Sequence, residues 1–207
     1  HDEQRLASDF FAGDARRGRA PLLVSALMDY CPMMIYFGQE LGERGMDAEG
    51  YSGRDGRTTI YDYWTVDTVS RWRNGGKFND KKLTGDEKRL RKFYARVLAL
   101  RESMPVLRSG HFYDLMYVNR HLHRQYVFVR QLEKQVLLVI ANFDDQEANL
   151  SIHLPEEFFR FIGQKGQTEV RALDLLSEEE TQVDFTPDRP LCAKVLPWNG
   201  LVLSIDL

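Results

Sequence analysis

Residues 126–146 read YVFVRQLEKQVLLVIANFDDQ, and this stretch decides the fold of the second half of the chain. Its apolar side chains recur with period two. Tyr126 and Phe128 fall on one face and Val127 and Val129 on the other, so an apolar strand covered on both sides is expected. Glu133-Lys134 and Asp144-Asp145 have the composition of turns, which makes the stretch a hairpin. The same alternation extends outward on both sides. HFYDLMYV from His111, ANLSIHL from Ala148, EVRALDLL from Glu169, AKVLPW from Ala193 and GLVLSIDL from Gly200 are short segments of this kind, the last with Leu201, Leu203 and Ile205 on one buried face. About seven such strands at this spacing predict an antiparallel sandwich or barrel.

Upstream of His111 the period is helical. RAPLLVSALMDY (19–30) predicts a buried helix that tolerates Pro21 near its first turn. In the next segment, Met33 to Phe37 form a short apolar run closed by Gly38, as in a strand of a parallel sheet buried on both faces. Residues 45–59 are rich in glycine and charge and predict a loop. TVDTVSRWRN (65–74) predicts a short helix capped by Thr65. In residues 84–105, Thr84 and Glu87 have the spacing of a capping box, and Leu90, Phe93, Tyr94, Val97, Leu98 and Met104 recur at three- and four-residue steps. Pro105 is expected to stop this helix, with a domain boundary beside it that divides the chain into 1–105 and 106–207.

Composition narrows the function classes. The chain has 207 residues and 43% hydrophobic content, enough for a real core, and a net charge of -3 with basic and acidic residues intermixed. No basic face points to nucleic acid or to an anionic membrane. The most apolar window, APLLVSALM, is far shorter than the roughly 20 residues that a membrane span needs. Cys31 and Cys192 belong to no zinc or redox pattern and are expected to be buried free thiols, which leaves the cellular compartment open. The opening HDEQR has neither an initiator methionine nor the basic and apolar regions of a secretory signal, so a longer parent chain is expected before His1. Within HDEQR, a carboxylate lies beside a hydrogen-bond donor. At the end of a barrel strand it could stabilise developing positive charge or orient a sugar hydroxyl, whereas alone it reads as a helix cap or frayed terminus.

Four separated segments read together change that balance. HDEQRLAS, PMMIYFGQELGE, LALRESMPVLRSG, and YVFVRQLEKQVLLVIANFDDQ with the terminal LPWNGLVLSIDL resemble, in order and spacing, the alpha-amylase family of glycoside hydrolases. The resemblance covers nearly the whole chain. It implies an α+β chain: the last βα units of a (β/α)8 barrel in residues 1–105, followed by the family's C-terminal antiparallel sandwich in 106–207. Asp2 resembles the family's third carboxylate, which stabilises the transition state without attacking it, and His1 resembles its partner that hydrogen-bonds sugar hydroxyls. Tyr36, Gly38 and Glu40 match the eighth-strand pattern and are expected to be architectural. The Gly-Thr that often precedes this strand's proline is replaced by Tyr30-Cys31.

Retaining glycosidases need a nucleophile and an acid about 5 Å apart. In this family both come from earlier barrel strands, so these 207 residues alone are expected to be inert while the parent acts on the α-glucosidic linkages of starch or malto-oligosaccharides. No cofactor and no metal site are expected. A non-catalytic carbohydrate-binding module, a glucanotransferase and a trehalose-type isomerase are the alternatives. The apolar faces of Leu22 to Leu27, Met33 to Phe37 and Leu90 to Leu98 are expected to pack against each other, against the sandwich or across a dimer interface, the last being self-association of the truncated barrel surface. Trp64, Trp72 and Trp198 with Tyr61 and Tyr63 could stack on sugar, but packing is the stronger reading. His121 and His123 would share a strand face, with no further ligand at metal spacing. Glu178 to Glu180 reads as a solvated loop or helix end.

Overall fold

A computed structural model describes residues 2–47, 54–58 and 66–206. The chain divides into two compact units, each assembled from two stretches of sequence: residues 1–19 with 33–95, and residues 20–32 with 96–207.

The second unit contains the strands. The 126–143 stretch forms the expected hairpin, β2 (Gln125–Leu132) and β3 (Gln135–Asn142), paired antiparallel with Leu132 opposite Gln135. With β1 (His111–Asp114), β5 (Gln167–Asp174), β6 (Glu180–Phe185) and β8 (Gly200–Asp206) they make a six-stranded sheet in the order β1-β2-β3-β8-β5-β6. The strands β4 (Ala148–Ile152) and β7 (Leu191–Val195) form a separate antiparallel pair. Between the two sheets lies one apolar cluster that includes Val127, Val129, Leu138, Ile140, Ile152, Leu191 and Ile205. Phe158, Phe159 and Ile162, from a short helix after Pro155, join the same cluster.

The other face of the large sheet is buried as well. Phe128, Leu137, Val139 and Val202 alternate away from the inter-sheet core and are fully buried. The helix α1 (Arg19–Leu27) buries Leu22, Leu23, Ala26 and Leu27. At Gly200 a methyl group would meet Leu23 Cδ1 at 2.4 Å and Ile140 O at 2.2 Å, so only hydrogen fits between this helix and β3. Two arginines cap the end of α1. Arg101 Nε donates to Ala26 O at 3.0 Å, and buried Arg130 Nη1 donates to Met28 O at 2.6 Å, placing cations on the carbonyls a helix leaves unsatisfied. Burial holds the Arg130 guanidinium below its ordinary pKa, and its other arm donates to Gly110 O at 2.7 Å.

The helix α2 (Asp67–Arg73) starts after Val66, and Thr65 lies outside the described residues. The long helix α3 (Gly85–Ser103) begins with the expected capping box: the Thr84 N–H donates to Glu87 Oε2 at 2.7 Å, and the Glu87 N–H to Thr84 Oγ1 at 3.3 Å. Leu90, Tyr94 and Val97 on its apolar stripe are buried.

Several expectations are corrected. Met33 to Phe37 is not a buried strand: residues 31–36 carry no assigned secondary structure, and Met34 is 85% exposed. An apolar run becomes a strand only when a neighbouring strand takes its hydrogen bonds, and no described segment pairs with this one. Cys31 and Cys192 are free but exposed. His121 and His123 lie in the turn between β1 and β2 and not on a strand. Pro105 ends α3 but also opens a new helix, α4 (Pro105–Ser109), where its missing N–H costs nothing. Glu180 belongs to β6, and Glu156–Ile162 forms the helix α5.

Candidate functional site

Asp2 is exposed and lies shortly before a series of tight turns through residues 6–13. The Ser8 N–H donates to Arg5 O at 3.0 Å and the Gly13 N–H to Ser8 O at 2.8 Å, which turns Arg5, Ala7 and Ser8 inward while Phe10 and Phe11 remain outside. Arg5 is the organising residue. Its backbone N–H donates to Gly56 O at 2.5 Å, and its Nε donates to Thr58 Oγ1 at 2.9 Å. Its guanidinium carbon sits 3.9 Å above the Tyr36 ring, in cation–π contact. The Tyr36 hydroxyl in turn donates to Thr58 O at 2.7 Å. Gly56 permits this approach: its φ is +82°, and a Cβ there would meet Ser8 Oγ at 2.9 Å.

Of these, Arg5 and Tyr36 line a cleft of about 540 Å³, with Glu3, Gln4, Met34, Gln39, Glu43 and Tyr94 among its other lining residues. Gln39 Nε2 donates to the Tyr94 hydroxyl at 3.2 Å, and burial pushes that phenol above its ordinary pKa, so it stays protonated and can donate. Glu43 is buried and accepts from the Gly45 N–H at 2.8 Å and from Thr68 Oγ1 at 2.5 Å. A carboxylate held in this way braces the loop and is a poor nucleophile. The groups present suit binding and orientation of a polyhydroxylated ligand.

The first unit also has a second, strongly charged cleft of about 600 Å³. Its charges largely satisfy one another. Arg71 Nη2 pairs with Glu87 at 2.5 Å, and Arg16 Nη2 pairs with Asp14 at 2.6 Å, its hydrogen bonds holding that carboxyl below the usual carboxylate range.

Of the residues singled out from the sequence, Asp2 is exposed beside the first cleft's wall, whose lining begins at Glu3. His1 lies outside the described residues, as do Tyr61, Tyr63 and Trp64. Tyr36 lines the cleft, and Gly38, at φ +79°, opens the single turn Gln39–Leu41. Trp72 packs edge-on against Phe78, with the Arg91 guanidinium 5.4 Å from its ring, and Trp198 sits half-buried in a turn at φ +50°. Sequence reasoning missed Arg5. Its partners lie 31 and 53 positions downstream, so no local spacing announces the contact.

No family model matches the chain, and no curated protein matches it. Solved structures do. AmyP in complex with maltose covers 96% of the chain at 16% identity with a TM-score of 0.61. The noncanonic maltogenic alpha-amylase AmyB from Thermotoga neapolitana covers 100% at 14% identity with a TM-score of 0.64. The fold is that of the C-terminal part of alpha-amylase family enzymes. Trehalose-6-phosphate hydrolase from Bacillus licheniformis shares this amylase-type fold, covering 100% at 17% identity with a TM-score of 0.55. The chain spans 36% of AmyP, 40% of AmyB and 42% of the trehalose-6-phosphate hydrolase. What is common at these identities is the backbone architecture of the amylase-type fold.

Proposed function

We propose that the chain is the C-terminal portion of an alpha-amylase-like retaining glycosidase acting on the α-glucosidic linkages of starch or malto-oligosaccharides. One observation carries the reading: almost all of this chain, 96% and 100%, aligns with about two fifths of AmyP, a maltose-bound protein, and of AmyB, a maltogenic alpha-amylase. In this reading residues 1–105 are the end of the catalytic barrel and 106–207 its sandwich domain. Asp2 stabilises the oxocarbenium-like transition state, and His1 hydrogen-bonds sugar hydroxyls beside it. Nucleophile and acid come from the rest of the parent chain, so the 207 residues alone turn over no substrate. Self-association of the truncated barrel surface is part of the same proposal: Leu22, Leu23, Leu27, Leu90 and Val97 of the faces expected to drive it are buried, so it rests on the Met33 to Phe37 run, where Met34 is 85% exposed, and sedimentation at two concentrations reads it directly.

The test is Asp2→Asn in the parent enzyme, assayed on maltoheptaose. A fall in kcat of about 10²- to 10³-fold is expected, the scale of losing one preorganised electrostatic group. Unchanged turnover in the variant would remove Asp2 from the mechanism. Sustained maltose release by the 207-residue chain itself would overturn the assignment of nucleophile and acid to other segments.

A further inference from the structure

Side chains fasten the turn between β1 and β2 to the end of β4. Asn119, fully buried, donates from Nδ2 to His153 O at 3.0 Å and to Leu115 O at 2.8 Å, while its Oδ1 accepts from the His153 N–H at 2.8 Å. Two residues on, His121 Nε2 lies 2.9 Å from Ser151 O. A carbonyl oxygen can only accept, so Nε2 carries the proton, and Nδ1 of the neutral ring keeps its lone pair. This frame brings two imidazoles together. The rings of His121 and His153 lie 6.1 Å apart between centroids, and both residues are exposed. The His153 ring makes no hydrogen bond among the described residues.

We propose that His121 and His153 form a two-histidine site for a divalent transition-metal ion such as zinc. Three features select this class of ligand. Neutral imidazole is the commonest protein ligand for such ions, and a ligating histidine characteristically donates its other N–H to a carbonyl or carboxylate, as His121 does to Ser151 O. The spacing suits a shared ion: with zinc about 2 Å from one nitrogen of each ring, the centroids stand roughly 5 Å apart, so two exposed side chains need close only about 1 Å. Asn119 already holds both backbones, so binding has no loop to order. Among the described residues no group of three His, Cys, Asp or Glu could hold a metal, so water completes the shell around the two imidazoles. Magnesium, which prefers oxygen ligands, does not suit this pair. The sequence sets His121 beside His123, whereas folding supplies His153 as its partner.

The site goes beyond the proposed function and does not depend on it, since it uses none of the residues assigned to catalysis. The experiment is calorimetric titration of the untagged 207-residue chain with zinc chloride and, in parallel, with magnesium chloride. One zinc ion should bind per chain, and magnesium should give no binding heat. His121→Gln and His153→Gln should each weaken zinc binding at least about tenfold, whereas His123→Gln should leave it unchanged. Glutamine at position 121 retains a donor for Ser151 O, and melting curves without metal check that each variant folds. With zinc at a hundred times its Kd, the parent chain should melt at a higher temperature and the two variants should not. If His121→Gln fails to fold, His153→Gln decides alone, because its ring holds no hydrogen bond among the described residues. An absence of zinc binding, or binding that survives both substitutions, overturns the site. Magnesium binding as tight as that of zinc overturns its ligand class.

Discussion

At the scale of the residue, the pair Asp29 and Cys31 shows how a local charge sets reactivity. Cys31 Sγ donates to Asp29 Oδ2 at 3.0 Å, and that hydrogen bond raises the thiol pKa above its ordinary value. The thiolate is the reactive form, so its fraction at a given alkaline pH is reduced while Asp29 is ionised. Asp29→Asn should therefore lower the thiol pKa and speed alkylation of Cys31 by iodoacetamide several-fold at pH 8. The rate–pH profile should move to lower pH, and an unchanged profile would show that the bond does not persist in solution. Cys31 was expected to be buried because cysteine usually is. It is exposed because α1 ends at Leu27 and the following backbone leaves the protein interior, a course set by Arg101 and Arg130 gripping the helix end.

At the scale of the element, α3 is the clearest case of sequence deciding structure. Thr84 and Glu87 cap each other, and Glu87 also holds Arg71 Nη2 at 2.5 Å. Thr84→Ala should cost about 1 kcal/mol in urea unfolding, the usual worth of an N-cap side chain. Glu87→Ala should cost more, because it also leaves Arg71 without that partner, and equal losses would mean that the ion pair adds nothing. The strands of the 126–146 hairpin were equally legible, since their alternation is uninterrupted. β6 was hidden because its first residues, Glu180 and Thr181, continue a charged run, and its two buried positions, Val183 and Phe185, fall at the end. α5 has only seven residues, too few to establish a period. Met33 to Phe37 misled for the opposite reason: composition reports how apolar a segment is, while strand formation depends on a partner elsewhere. The site followed the same rule. Asp2 is singled out by its motif alone and its role stays with the proposed function, whereas Arg5 and its partners meet only through tertiary folding.

At the scale of the whole molecule, β3 is buried along nearly its full length, and both of its sides are paired. Amide hydrogen exchange should therefore be slowest for residues 136–141, while residues 33–36, which lie in no described ladder, should exchange within the earliest time points. Protection at 33–36 matching that of β3 would show that the segment forms a strand in solution. The helix α1 has a further consequence. It comes from residues that precede much of the first unit, yet it supplies part of the second, including Leu23 against Gly200. A gene fragment cut at residue 106 would omit the helix that Gly200 accommodates, so the sandwich is not a cassette that a single recombination could move between proteins. Its inheritance is tied to the segments on either side, and lineages carrying one are expected to have kept both.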